Sequence, residues 1–172
     1  KAFNWLYYNR QFGKVRESKV DFNSFFYPLD SINNWNRIYG RKGFLQYQFI
    51  LPLEVSYDGV KQILEILSKS GKGSFLAVLK LYGKQNENTL SFPMEGYSLA
   101  LDLKVSKSVF ELLDRLDEIV ESFGGRVYLS KDARLSKNSF NKTYRHAELF
   151  RKYRLKNKLT AFSSVQSKRL NL

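Results

Sequence analysis

Between residues 44 and 129 the apolar positions recur with two periods, two residues and about 3.6, which separate pleated strands from amphipathic helices. Phe44 to Leu51 alternates, with Leu45, Tyr47, Phe49 and Leu51 on one side and Gln46 and Gln48 on the other. That is a period-2 strand. Residues 57–69 gather Val60, Ile63, Leu64 and Leu67 on one helical face and stop before Gly71 and Gly73. A second strand is expected at 75–82, turning Phe75, Ala77, Leu79 and Leu81 one way and Leu76, Val78, Lys80 and Tyr82 the other. A loop with Asn86, Asn88, Pro93 and Gly96 leads to a third strand at 97–104. It sets Tyr97, Leu99, Leu101 and Leu103 against Ser98, Ala100, Asp102 and Lys104. Ser108 with Glu111 reads as a capping box for a helix striped by Val109, Leu112, Leu113, Leu116, Val120 and Phe123. Gly124-Gly125 ends that helix, and a short strand from Arg126 to Leu129 closes the unit.

The order β-α-β-β-α-β predicts an α+β, ferredoxin-like split βαβ domain. Two helices cover one face of such a sheet. Burial of apolar area assigns them to the face of Leu45/Tyr47/Phe49, Phe75/Leu79/Leu81 and Leu99/Leu101/Leu103. The uncovered face then carries Gln46, Gln48, Val78, Lys80, Ser98 and Ala100, a mixed surface that needs solvent, a domain or a ligand against it.

The flanks differ from this core. Residues 1–43 are rich in aromatics, Asn and turn formers, with helical pieces expected near 2–9 and 29–38. Residues 130–172 read as short helices near 136–145, 146–155 and 161–169, too poor in apolar residues to pack alone. Three segments follow: 1–43, a core at 44–129, and a basic helical segment at 130–172. The chain begins at Lys1 and runs at once through Trp5, Leu6 and Tyr8, an opening that points to a piece of a longer protein.

Composition narrows the chemistry. Cys is absent from the 172 residues, so disulfides, thiol catalysis and Cys-ligated metals are excluded. His146 is the single His and reads as a surface residue, while Asp114, Asp117, Glu118 and Glu121 read as the solvated side of their helix. No apolar run reaches the roughly 20 residues that span a bilayer, and no signal peptide is seen, so a cytoplasmic or peripheral location is expected. Net charge is +13, of which 12 basic and two acidic side chains place +10 in residues 130–172. That asymmetry marks the tail, not the core, as the part that faces an acidic partner or a membrane surface.

Three groups can carry chemistry. Gln46, Gln48 and Lys80 offer two amides and an ammonium on one sheet face, suited to a polyhydroxylated or phosphate-bearing ligand. Lys131 follows the last strand directly, where a rigid scaffold can hold a reactive group. Lys42 to Phe49 echoes the RNA-recognition signature, which makes an RNA-binding module the alternative. Against it, Gln46 replaces the stacking aromatic and the segment lies on the first strand, where the signature belongs on the third. Neither phosphate-binding glycine motif occurs.

Longer stretches carry a resemblance. Phe26-Tyr27-Pro28-Leu29-Asp30, Trp35-Asn36-Arg37, Gly43 to Phe49, Val78-Leu79-Lys80-Leu81 and Leu90 to Met94 resemble FAD-linked oxidases of the vanillyl-alcohol-oxidase type, those related to decaprenylphosphoryl-β-D-ribose 2′-oxidase. So do Gly124 to Tyr128 with Lys131-Asp132, and Ala161 to Ser164 with Lys168-Arg169-Leu170. The resemblance covers essentially the whole chain and implies the C-terminal portion of a two-domain flavoprotein. The N-terminal domain of that family holds most of the FAD site and would be the partner of residues 130–172. It implies oxidation of a secondary alcohol of a sugar, such as a polyprenyl-phosphoryl pentose, with hydride passing to the flavin, and no nucleic acid. By the same resemblance Tyr27, Gln46, Gln48, Val78, Lys80, Ser98 and Ala100 would contact substrate. Tyr128 and Lys131 would reach the flavin, Lys131 as the catalytic cation; Ser98 and Ala100 stand where some members have Asn and Cys.

Overall fold

A computed structural model describes residues 2–11 and 17–172, and the chain divides into two compact units after Trp35. The first holds helix α1 (Ala2–Gln11) and the five-residue helix α2 (Phe22–Phe26). Asp21 caps α2, its carboxylate accepting from the backbone N–H groups of Asn23 and Ser24. The helix expected at 29–38 is instead a run of turns leading to a 3-10 turn at Trp35–Tyr39, and α2 lies where no periodic signal stood.

The second unit contains the sheet: β1 (Phe44–Pro52), α3 (Ser56–Ser70), β2 (Ala77–Tyr82), β3 (Gly96–Lys104), α4 (Lys107–Ser122) and β4 (Arg126–Val127). The strand order is β2-β3-β1-β4 and every pair is antiparallel. This is the α+β, ferredoxin-like arrangement that the element order implies. Gly71, left-handed at φ 69°, ends α3. Gly96 opens β3 at φ +154°, where an added Cβ would lie 1.9 Å from the Leu51 carbonyl oxygen, so only glycine fits there.

The helices bury one face. Leu45, Tyr47, Phe49, Leu51, Leu99, Leu101 and Leu103 pack with Ile63 and Leu67 of α3 and with Val109, Leu112, Leu113, Leu116 and Val120 of α4. Fully burying each of the large aliphatic or aromatic groups contributes roughly 1.5–3 kcal/mol.

Several local readings change. Leu79 and Leu81 are 55% and 63% exposed, because β2 is the edge strand and α3 stops short of it. An apolar groove of about 620 Å³ runs there between Val60 and Leu64 of α3 and Leu79 and Tyr97 of the sheet. Phe75 precedes the strand and meets the Tyr39 ring edge-on at 5.4 Å instead of facing the helices. The cap of α4 is Ser106, whose hydroxyl accepts from the Val109 N–H, not Ser108. β4 is two residues long and turns into a 3-10 segment at Leu129–Lys131.

The tail forms α5 (Lys137–Thr143), α6 (Ala147–Lys156) and α7 (Val165–Leu170). It packs better than its composition suggests. Leu135, Phe140, Tyr144, Ala147 and Leu170 join the same core, and the Tyr144 hydroxyl donates to the Val127 carbonyl at 2.7 Å. Asp117, expected on a solvated face, is 6% exposed and accepts from Tyr47 Oη at 2.9 Å and from Arg134 at 2.5 Å. Burial raises its carboxyl above the usual range, and the Arg134 guanidinium works against that rise. Arg169 pairs with the buried carboxylate of Asp132 at 2.5 Å. Arg134 thus fastens the tail to the core, and Arg169 ties the last helix back to the start of the tail.

Candidate functional site

Strand register fixes which side chains share the open face. Gln48 lies opposite Ala100, and Ala100 opposite Val78. The Tyr128 N–H donates to the Gln48 carbonyl at 2.8 Å, so Val78, Ala100, Gln48 and Tyr128 form one row across four chain segments. The next row is Lys80, Ser98, Ile50 and Arg126; on the other side Asp102 sits opposite Gln46. Seven of the nine expected site residues therefore converge: Gln46, Gln48, Val78, Lys80, Ser98, Ala100 and Tyr128. Lys131 ends the 3-10 turn that follows Tyr128, exposed, with its backbone N–H donating to the Tyr128 carbonyl at 3.0 Å. Tyr27 belongs to the first unit, half exposed at the C-cap of α2.

The face is less open than alternation alone implies. Gln48, Ser98 and Ala100 are 4%, 0% and 5% exposed, while Lys80 remains exposed at the rim. Part of the cover comes from residues 83–95, which fold back so that Phe92 packs 4.5 Å from the Tyr128 ring and 6.0 Å from the Tyr82 ring. Arg126 holds that loop through a hydrogen bond to the Ser91 carbonyl at 2.7 Å. Gln48 donates to Ser98 Oγ at 3.1 Å and to Tyr82 Oη at 3.5 Å. Gln46 donates to Asp102 Oδ1 at 2.8 Å, and Tyr39 Oη donates to Asp102 Oδ2 at 3.3 Å. Burial, with the Asp102 carboxylate beside it, pushes the Tyr39 phenol up to about 12.

Two amides, the hydroxyl groups of Ser98, Tyr82 and Tyr39 and one exposed ammonium thus share an aromatic-walled sheet face. Such a set binds hydroxyl-rich ligands and tolerates an anionic group near Lys80. Among the described residues no group of His, Asp and Glu could hold a metal ion. The reading of the sequence passed over Tyr39, Tyr82, Phe92 and Asp102 as site residues. Asp102 and Tyr82 had a signal, since alternation put both on this face, but Tyr39 and Phe92 lie outside the periodic segments. Phe44, the aromatic of the RNA-like signature, stacks on Tyr39 at 4.4 Å, and Phe49 is fully buried under the helices.

No family model matches the chain. It is 38% identical over 164 residues to a decaprenylphosphoryl-beta-D-ribose oxidase of Mycolicibacterium smegmatis, 95% of this chain and 35% of that protein. It is 31% identical over 117 residues to an uncharacterized protein of Streptomyces coelicolor encoded in the mprA 5' region, 67% of this chain and 32% of that protein. The chain spans about a third of the length of the curated relatives it matches. Along nearly all of its length this chain is similar to a decaprenylphosphoryl-beta-D-ribose oxidase, of which it spans about a third.

Proposed function

We propose that this chain is the substrate-binding part of an FAD-dependent oxidoreductase that oxidises a secondary alcohol of a sugar, such as a polyprenyl-phosphoryl pentose. The observation that carries the reading is the convergence of Gln46, Gln48, Val78, Lys80, Ser98, Ala100 and Tyr128 on three adjacent rows of one sheet face. The similarity to a named sugar-lipid oxidase supports it.

In this reading the two glutamines hydrogen-bond sugar hydroxyls and Val78 forms the apolar floor. Lys80 meets the phosphate end, where its exposure leaves room for a long lipid chain. Tyr27 acts as a substrate-loop residue on the strength of the resemblance.

The residues present fit one edge of a flavin ring and not a whole FAD. Tyr128 and Lys131 offer a phenol and an ammonium, while the chain has no Gly-rich phosphate loop for the dinucleotide. FAD would supply the hydride acceptor. Lys131 holds positive charge beside the site where negative charge develops, and Tyr128 orders the adjoining wall against Phe92. Residues 130–172 would bring the basic tail against the FAD-binding domain of the same protein. A peripheral position at a membrane surface suits a lipid-linked sugar, and no helix among the described residues is long and apolar enough to cross a membrane.

The test uses the full-length protein with its bound flavin. Lys131→Ala is expected to slow flavin reduction by a polyprenyl-phosphoryl pentose on the order of 100-fold, as loss of an electrostatic partner does. An unchanged reduction rate removes Lys131 from the mechanism. The 172-residue chain alone is expected to bind no FAD tightly, and a stoichiometric flavin spectrum would contradict that.

A further inference from the structure

We infer that Asp102 is a positioning residue that fixes the Gln46 amide so that its carbonyl oxygen faces the ligand, which selects a sugar hydroxyl over any group that can only accept. The inference rests on the site proposed above and adds a residue and a direction to it. A primary amide has one end that donates and one that accepts, and a carboxylate only accepts. Gln46 Nε2 lies 2.8 Å from Asp102 Oδ1, so the amide turns its NH2 toward Asp102. Its Oε1 is then the free end of the amide, and no hydrogen bond from a described residue reaches it.

The support for Asp102 is itself held in place. Its side chain is 1% exposed, and its second oxygen accepts from Tyr39 Oη at 3.3 Å, Tyr39 being equally buried. The Asp102 backbone N–H donates to Ser74 Oγ at 2.9 Å, which pins the residue in the register opposite Gln46. Gln48 lacks this constraint, because its partners Ser98 and Tyr82 are hydroxyls that can donate or accept. One glutamine is therefore a committed acceptor and the other adapts. An alcohol O–H satisfies Gln46 Oε1, whereas an ether, a carbonyl or a deoxy position leaves it without a donor.

Two readouts on the full-length protein with its bound flavin, its glutamine side chains labelled with nitrogen-15, separate this inference from the function it builds on. In the first, the Gln46 side-chain NH2 is followed by NMR. It is expected to exchange with water at least tenfold more slowly than the average exposed glutamine amide, to lose that protection in Asp102→Asn, and to regain part of it in Asp102→Glu. Protection equal in wild type and Asp102→Asn overturns the positioning role. In the second, a pentofuranose carrying a methyl phosphodiester at C1 and its singly O-methylated analogues are titrated. Wild type is expected to bind one analogue about tenfold more weakly than the parent, and Asp102→Asn to bind both alike. Retention of the wild-type preference in Asp102→Asn overturns the selection. Should Asp102→Asn fail to fold, Gln46→Met replaces it and is likewise expected to lose the preference; a preference it retains overturns the selection. A protected Gln46 amide in wild-type full-length protein that binds no pentoside upholds the positioning and overturns the proposed function alone.

Discussion

Asp117 shows how one side chain can join two segments that composition keeps apart. It lies on α4, yet its carboxylate is held by Tyr47 of β1 and Arg134 of the tail, beneath the sheet. Removing one partner of a buried ion pair costs about 3–5 kcal/mol, because the other is left uncompensated. Arg134→Ala is expected to destabilise the chain by that amount in urea unfolding. The loss has a pH signature. Burial raises the Asp117 carboxyl in the folded chain, so the native state binds the extra proton and stability falls as pH rises through the raised value. Without Arg134 that fall extends to higher pH, and the destabilisation is expected to be larger near neutrality than in mild acid. Tyr39 titrates with the same sign. Its phenol, pushed up to about 12 from 10.0, contributes stability that is present below 10 and lost as pH climbs toward 12. Tyr39→Phe is expected to flatten the alkaline unfolding profile across that window.

At the scale of elements, the caps and the edge strand separate local rules from tertiary ones. Ser108 with Glu111 matches the capping-box pattern before α4, yet the residue at the N-cap is Ser106. The Ser106 hydroxyl accepts from the Val109 N–H, so Ser106→Ala is expected to cost about 1 kcal/mol while Ser108→Ala stays within about 0.5 kcal/mol. Thermal unfolding of the two variants distinguishes them. Leu79 and Leu99 are cross-strand partners with the same alternation, and the sequence cannot rank them. Leu99, 4% exposed on a central strand, is expected to cost about 2–5 kcal/mol as Ala, and the half-exposed Leu79 much less. Alternation assigns a face to each residue. Whether that face is covered depends on where α3 ends up, which is a property of packing.

For the whole molecule, the tail is the informative case. Its +10 charge and scarce apolar residues predict an appendage, yet the few apolar groups it has are well used. Leu170 is fully buried in the core shared with Phe140 and Tyr144, so Leu170→Ala is expected to destabilise the entire second unit by about 2–5 kcal/mol. A change confined to the last helix would show α7 to be a passive extension. Much of the tail surface still points outward: Leu149, Tyr153, Leu155, Phe162 and Val165 are each more than half exposed among basic neighbours. That surface agrees with the proposed docking of the tail on an FAD-binding domain.

The sequence by itself determined the element order of the sheet-bearing core, its ferredoxin-like class and the face on which Gln46, Gln48, Lys80, Ser98 and Ala100 lie. These follow from local periodicity, since a period of two assigns each side chain to one side of a pleat. Only the tertiary structure decided which of those residues are enclosed and what holds them. Phe92 reaches the face from a loop, Tyr39 from a turn before β1, and Arg134 reaches Asp117 from beyond the sheet. Contacts of that kind join segments far apart in the chain, and no periodic pattern records them. The orientation of the Gln46 amide belongs with these, because it depends on a carboxylate 56 residues away that becomes its neighbour only when β1 and β3 pair.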